Sequence, residues 1–180
     1  MNHKTAFVNL LMFGVLVFPS CKKASTPDPL AQLPAASHNG ANTLGCLVNG
    51  KAFVVNVGQA NWNHPLGVSF GAISNGSWYI SGNLSPEYLQ ISFDGNSNSK
   101  RIGTYMLGNN SATQGSYSNP QNGMAILGNT EFTTNSTLTG AITIDYFENN
   151  IASGTFNFDA ANDSGVVVHI TNGRYDMKVL

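Results

Sequence analysis

The sequence predicts an all-β, antiparallel fold, arranged as a two-sheet sandwich with a four-stranded C-terminal meander or, as the alternative, a flattened up-and-down β-barrel. Three observations carry this reading. Apolar and polar residues alternate over many short stretches, no stretch sustains the apolar period of a helix, and Asn-Gly or Asp-Gly pairs punctuate the chain at short intervals. Neighbours joined by such short connections are antiparallel, and a sandwich or a barrel is how an all-β chain buries its apolar faces and manages its sheet edges. Residues 43–180 fall within the usual size of a single domain with its own core.

Taken in order, Leu44 to Val57 gives two β-rich runs around Asn49-Gly50, a turn pair because a type I′ turn needs φ > 0 at both central positions. Leu66 to Ile73 alternates with Leu66, Val68 and Phe70 on one side. Ser77 to Leu84 sets Trp78, Ile80, Gly82 and Leu84 against Tyr79, Ser81 and Asn83, and Tyr88 to Phe93 points Leu89, Ile91 and Phe93 inward before closing on Asp94-Gly95. Arg101 to Leu107 is a further strand. Ser111 to Gly123 reads as loop, whereas Gly123 to Leu127 and Thr130 to Thr134 are short strands.

The last third carries the meander. Thr137 to Phe147 and Ile151 to Asp159 keep their apolar residues on one face only if an odd loop, Glu148-Asn149-Asn150 with a bulge, joins them, which pairs Ile144 with Gly154, Ile142 with Phe156 and Gly140 with Phe158. Gly165 to Thr171 and Arg174 to Leu180 flank Asn172-Gly173, the clearest hairpin signal in the chain. That hairpin sets Ile170 opposite Tyr175, Val168 opposite Met177, Val166 opposite Val179 and His169 opposite Asp176. Phe156, Val168 and Met177 then share one buried wall, and Thr171, Arg174, His169, Asp176, Val167 and Lys178 are solvated.

At the other end, Lys4 precedes an apolar run from Ala6 to Phe18 and then Pro19-Ser20-Cys21. The run is too short to span a bilayer, which takes ~20 residues, and reads as a secretory signal. Val17-Phe18-Pro19-Ser20-Cys21 resembles a bacterial lipobox, which implies a signal peptide over 1–20, a lipidated Cys21 and membrane attachment through that lipid. Residues 21–42, rich in Pro, Ala and Ser, then read as a flexible tether, with a single domain over 43–180. Lys22 is not the aspartate associated with inner-membrane retention, and the tether lacks the acidic cluster linked to surface export. The resemblance therefore implies the periplasmic side of the outer membrane first and the cell surface second. If Cys21 is acylated, Cys46 has no partner and is most simply a small buried hydrophobe.

Cys46-Leu-Val-Asn-Gly-Lys-Ala-Phe53, Gly103-Thr-Tyr-Met-Leu107, Gly154-Thr-Phe-Asn-Phe-Asp-Ala160 and Ile170-Thr-Asn-Gly-Arg-Tyr-Asp176 together resemble a family of small Bacteroidota lipoproteins whose domain has no assigned function. The likeness implies fold and location and carries over no catalytic residue.

Charged residues make up 9% of the chain and the net charge is −1, so nucleic acid is not a partner the composition favours. No nucleophile elbow, zinc-protease helix, phosphate-binding glycine loop or paired-cysteine metal motif occurs, so no catalytic residue, metal ligand or cofactor is assigned. Asp94-Gly-Asn-Ser-Asn98 begins like a calcium loop, but Ser99 stands where Gly is needed and Tyr105 where a bidentate Glu is needed. Asp159, Asn162 and Asp163 are candidates to hold calcium in a turn, although Asx side chains more often serve such a turn's own backbone. The remaining candidates are contact residues. Trp62, Tyr79, Tyr88 and Tyr117, framed by Asn and Ser, are candidates to stack on sugar rings, although core filling is the commoner use of aromatics. His169 and Asp176 form a polar pair if the last hairpin forms. The expected function is a non-enzymatic binding or envelope-structural module, with glycan or another envelope protein as partner. A glycan hydrolase is the alternative and requires two converging carboxylates.

Overall fold

The alternating runs become strands. The computed structural model describes residues 27–56, 67–72, 77–84, 86–94, 102–108, 113–119 and 130–180. Its strands are β1 (Thr43–Val48), β2 (Lys51–Val55), β3 (Gly67–Ala72), β4 (Ser77–Leu84), β5 (Glu87–Asp94), β6 (Gly103–Leu107), β7 (Gln114–Ser118), β8 (Glu131–Thr133), β9 (Gly140–Glu148), β10 (Ile151–Ala161) and β11 (Val167–Lys178). Every pairing is antiparallel, and the order is β2-β1-β11-β10-β8-β7-β5-β4-β3, with β9 on β10 and β6 on β9. The length of β10 lets one sheet hold all of them. Ile151 to Phe158 pair with β9, while Ala161, farther along the same edge, pairs with Thr133 of β8.

The sheet is nearly closed into a barrel, and the Leu180 N–H donates to the Phe70 carbonyl at 3.0 Å, tying the C-terminus to β3. The fold is all-β and antiparallel as the sequence predicts. Of the two architectures the sequence leaves open, the barrel-like one is adopted. Leu44, Phe53, Phe70, Ile80, Ile91, Phe93, Ile142, Phe158 and Ile170 are among the side chains packed inside. Phe156, Val168 and Met177 are all buried there too.

The C-terminal hairpin is corrected. β11 runs unbroken from Val167 to Lys178, with β1 along one edge and β10 along the other. Asn172, at φ 54°, does sit in the left-handed region, but within a bulge. Both ladders shift register there, from Gly45↔Arg174 to Leu47↔Thr171 and from Phe156↔Gly173 to Phe158↔Ile170. A hairpin would satisfy one ladder between the two halves, whereas a continuous strand satisfies two. Gly173 is required at this bend because a Cβ would overlap the Phe156 ring. The phase slip explains why Ile170 and Tyr175 both point inward, although they lie on one strand. The predicted pairs of Ile170 with Tyr175, Val168 with Met177, Val166 with Val179 and His169 with Asp176 do not form. Val166, expected in the wall, is 55% exposed because it precedes the strand.

The β9–β10 register is as predicted, with Ile144↔Gly154, Ile142↔Phe156 and Gly140↔Phe158, but its cause differs. The turn is the two-residue pair Asn149-Asn150, at φ 51° and 58°, and Glu148 pairs with Ile151. The odd residue is Asp145, bulged between Tyr146↔Ser153 and Ile144↔Gly154. The Asn49-Gly50 turn forms as expected, at φ 49° and 78°. Ser111 to Gly123, expected as loop, contains β7, which is polar outside but places Gly115 and Tyr117 inward between β5 and β8.

From Asp28 onward, the stretch expected as a loose tether is docked on the domain. Asp28 Oδ1 caps the short 3₁₀ turn Pro29–Gln32, Leu33 is buried, and Pro34 covers Gly45 on the outside of β1. Arg174 Nη1 donates to the Pro34 carbonyl at 3.2 Å. The cause of the docking is Asp176, which is 1% exposed. A buried carboxylate requires donors, and this strap supplies the Ser37 hydroxyl at 2.5 Å and the N–H groups of Asn39 at 2.9 Å and Gly40 at 2.7 Å.

Candidate functional site

Two surfaces combine exposure with chemistry. The first is the outer face of β3, β4, β5 and β7. Strand alternation turns Phe70, Ile80, Leu89 and Ile91 inward and Ser69, Tyr79, Ser81, Asn83, Tyr88, Gln90, Ser92 and Ser116 outward, with Ser81 and Ser92 buried beneath their neighbours. None of these side chains is charged. The Tyr88 hydroxyl donates to Gln90 Oε1 at 2.5 Å, and Gln90 Nε2 to Ser92 Oγ at 3.3 Å. Burial pushes the Tyr88 phenol up, against a Ser81 hydrogen bond that pulls it down. The end of the Tyr79 ring lies over Gly71, where a Cβ would stand 3.1 Å from it, so the ring lies across the sheet.

The second surface is a pocket of about 360 Å³ at the end of the barrel marked by the Asn49-Gly50 turn. Phe53, Phe132 and Val168 give it apolar walls, and Glu87, Asn119 and Lys51 give it polar ones. Glu87 is in phase with Leu89, Ile91 and Phe93 at the start of β5, and so faces inward with them. Its Oε1 accepts from the Tyr117 hydroxyl at 2.5 Å and from Asn119 Nδ2 at 3.2 Å. The Tyr117 ring meets Phe53 edge-on at 6.4 Å and lies 6.2 Å from Phe132. Burial, then the Glu87 acceptor, pushes the Tyr117 phenol well above its ordinary value, which keeps it a donor. Burial, with the Glu87 charge added, raises the Cys46 thiol to about 12. Cys46, fully buried, packs as a small core hydrophobe.

The structure does not bring together the five predicted contact residues that it describes. Tyr79 and Tyr88 share the outer face, and Tyr117 is 4% exposed and faces the pocket. His169 pairs through Nδ1 with Asp159 Oδ1 at 2.8 Å, not with Asp176, because β11 is a single strand. Asp176 is the strap's anchor, with burial raising its carboxyl and the Ser37 hydroxyl and the N–H groups of Asn39, Gly40 and Ala41 lowering it further, to a net value below 3.8. Trp62, Cys21 and residues 95–101 of the calcium-like stretch lie outside the described residues. In the Asp159–Asp163 turn, Asn162 Oδ1 accepts from the N–H groups of Ser164 and Val166, which is Asx-turn chemistry.

Sequence reasoning missed Glu87, Asn119, Lys51 and Phe132. The signal for Glu87 was present, since extending the inward phase of Leu89, Ile91 and Phe93 back by two positions lands a carboxylate on the apolar side. It also missed His38, which stacks on Tyr146 at 4.9 Å and places Nδ1 2.5 Å from Ser153 Oγ. That pair is not a catalytic dyad open to substrate, because Ser153 is 1% exposed and the adjacent Asp176 binds Ser37 and not the imidazole. Among the described residues no group of three or more His, Cys, Asp and Glu is placed to hold a metal ion.

Residues 57–175 match the family described as "Domain of unknown function (DUF6252)". No curated protein and no solved structure matches the chain.

Proposed function

Because the chain belongs to the DUF6252 family, whose domain has no assigned function, membership supplies no chemistry, and we propose that this protein is a non-enzymatic, lipid-anchored envelope domain that contacts glycans. The observation that carries the reading is the outer face of β3, β4, β5 and β7. It presents two tyrosines among hydroxyls and amides, its one charge being Asp94 at the far end of β5, and one of those rings lies across the sheet above Gly71. A sugar ring needs such a surface, because its apolar face stacks on an aromatic ring while its hydroxyls exchange hydrogen bonds with neutral polar groups. The non-enzymatic part is supported by the pocket, whose lining among the described residues holds a single carboxylate, Glu87, where a glycosidase uses two.

The envelope location rests on the apolar run from Ala6 to Phe18 ahead of Cys21, with the periplasmic side of the outer membrane as the site. Palmitate labelling tests it. The wild-type chain should incorporate label and Cys21→Ser should not, and equal labelling of the two would refute the anchor.

For the contact face, the full-length chain is titrated against a panel of envelope and plant oligosaccharides. Tyr79→Ala should weaken the best ligand about tenfold, the loss of roughly 1.4 kcal/mol of stacking and burial. Tyr79→Phe should retain binding. A panel without binding, or a Tyr79→Ala variant that binds as well as wild type, would remove the glycan reading.

A further inference from the structure

The barrel-end pocket carries an inference independent of the glycan face. Glu87 and Lys51 line the same 360 Å³ space with opposite charges, yet no ion pair joins them. Both bonds that Glu87 accepts go to Oε1, and Oε2 has no partner among the described residues. Phe53, Phe132 and Val168 line the same space, and Val166, 55% exposed, and Val167, 37% exposed, extend its apolar surface outward.

We propose that this pocket is a binding site for a small zwitterion with an apolar side chain, a free hydrophobic amino acid or a dipeptide. Its ammonium would pair with Glu87, its carboxylate would pair with Lys51, and its side chain would rest on Phe53, Phe132 and Val168. Charge balance selects this class. A neutral ligand large enough to cover the mouth would take the Glu87 carboxylate out of water without pairing it to Lys51 or to any charge of its own, a cost it could not return. A divalent cation would need several oxygen ligands, and the lining offers one carboxylate among the described residues. The ammonium of an amino acid meets the carboxylate with charge-assisted hydrogen bonds. Tyr117 and Asn119 prepare this contact by holding Oε1, which fixes the plane of the carboxylate before ligand arrives. The volume lies near the lower end of small-molecule pockets, which matches a ligand of this size and excludes an oligosaccharide chain.

The test uses the full-length chain and five probes, L-leucine, L-phenylalanine, the dipeptide Leu-Phe, N-acetyl-L-leucine and L-leucinamide. Calorimetry reads affinity, and amide chemical shifts of Phe132 and Val166 to Val168 report the place. At least one of the three zwitterions should bind with shifts at those residues, and acetylation of the amine should weaken leucine at least tenfold. Glu87→Gln should do the same to the zwitterion. Lys51→Met, at an exposed position where folding is not at stake, should weaken L-leucine about fivefold and leave L-leucinamide unchanged. That comparison stands on its own if Glu87→Gln fails to fold. The proposal is overturned if none of the zwitterions shifts the pocket resonances, if N-acetyl-L-leucine binds as tightly as leucine, or if Lys51→Met affects both leucine compounds equally. None of these outcomes depends on Tyr79, so the pocket and the glycan face can fail separately.

Discussion

The ladders among β3, β4, β5 and β7 run from Gly67↔Asn83 to Ser92↔Gln114 without a register shift, whereas each ladder joining β1 to β11, β11 to β10 and β10 to β9 contains one. The regular wall is a plain alternation, apolar within and neutral outside except for Asp94 at the end of β5. In the shifted wall, an extra residue at Asp145 and another at Asn172 bend the long strands, and bulges of this kind increase twist and curvature. Curvature that brings β3 back to the C-terminal end of β11 is thus concentrated in one half of the sheet. The regular half is left to display a face, and the shifted half anchors the N-terminal strap.

The largest expected difference between the walls is their tolerance of a single methyl group. At Gly154, beside the Asp145 bulge, a Cβ would fall on the Thr143 carbonyl and within 2.9 Å of the Tyr175 hydroxyl. At Gly82, in the regular wall, it would meet the methyl ends of Leu44 and Val55 at 3.1 Å, groups that can rotate away. Gly154→Ala should therefore cost about 3 kcal/mol, since backbone cannot yield as a methyl can, while Gly82→Ala should change stability by less than about 1 kcal/mol. Urea midpoints at unchanged m-value measure both. Equal losses at the two sites would mean that the bulged wall is no more constrained than the regular one.

The same contrast decides what was legible in the sequence. In the regular wall, alternation alone places Phe70, Ile80, Leu89, Ile91 and Phe93 inside, and all five are buried. In the shifted wall, the pattern admits two solutions. A two-residue hairpin at Asn172-Gly173 and a one-residue phase slip at the same place both put Ile170 and Tyr175 on one side, so the apolar pattern cannot distinguish them. Asn in the left-handed region serves either one. Similarly, the β9–β10 register follows from parity, but parity does not say whether the odd residue sits in the turn or at Asp145. The pocket was illegible for another reason. Its lining comes from the β1–β2 turn, β5, β7, β8 and the start of β11, and no local spacing records that these meet. Glu87 alone left a trace, as an acid on the inward phase of a strand.

A smaller effect should follow from the strap. Asp176 reads in the sequence as a solvated residue opposite His169, yet it is buried and holds three successive backbone N–H groups, those of Asn39, Gly40 and Ala41, with the Ser37 hydroxyl. Asn at this position keeps the shape but turns an NH₂ toward donors, which leaves at least one N–H unsatisfied and should cost about 1–3 kcal/mol. The pH dependence gives the second signature. The folded carboxyl lies below 3.8, so the folded state binds its proton less tightly than the unfolded chain, and stability rises with pH across that interval. The contribution is fully present above the unfolded value, near ~3.9, and is lost as pH falls through the folded one. Amide exchange at Asn39, Gly40 and Ala41 should accelerate in Asp176→Asn at neutral pH. In the wild type, the protection of those amides relative to β4 and β5 should fall only below about pH 4. Should their protection in the variant match the wild type while the regular wall also stays unchanged, the strap is held by Leu33 and Pro34 packing and not by the carboxylate, and the two walls differ in curvature alone.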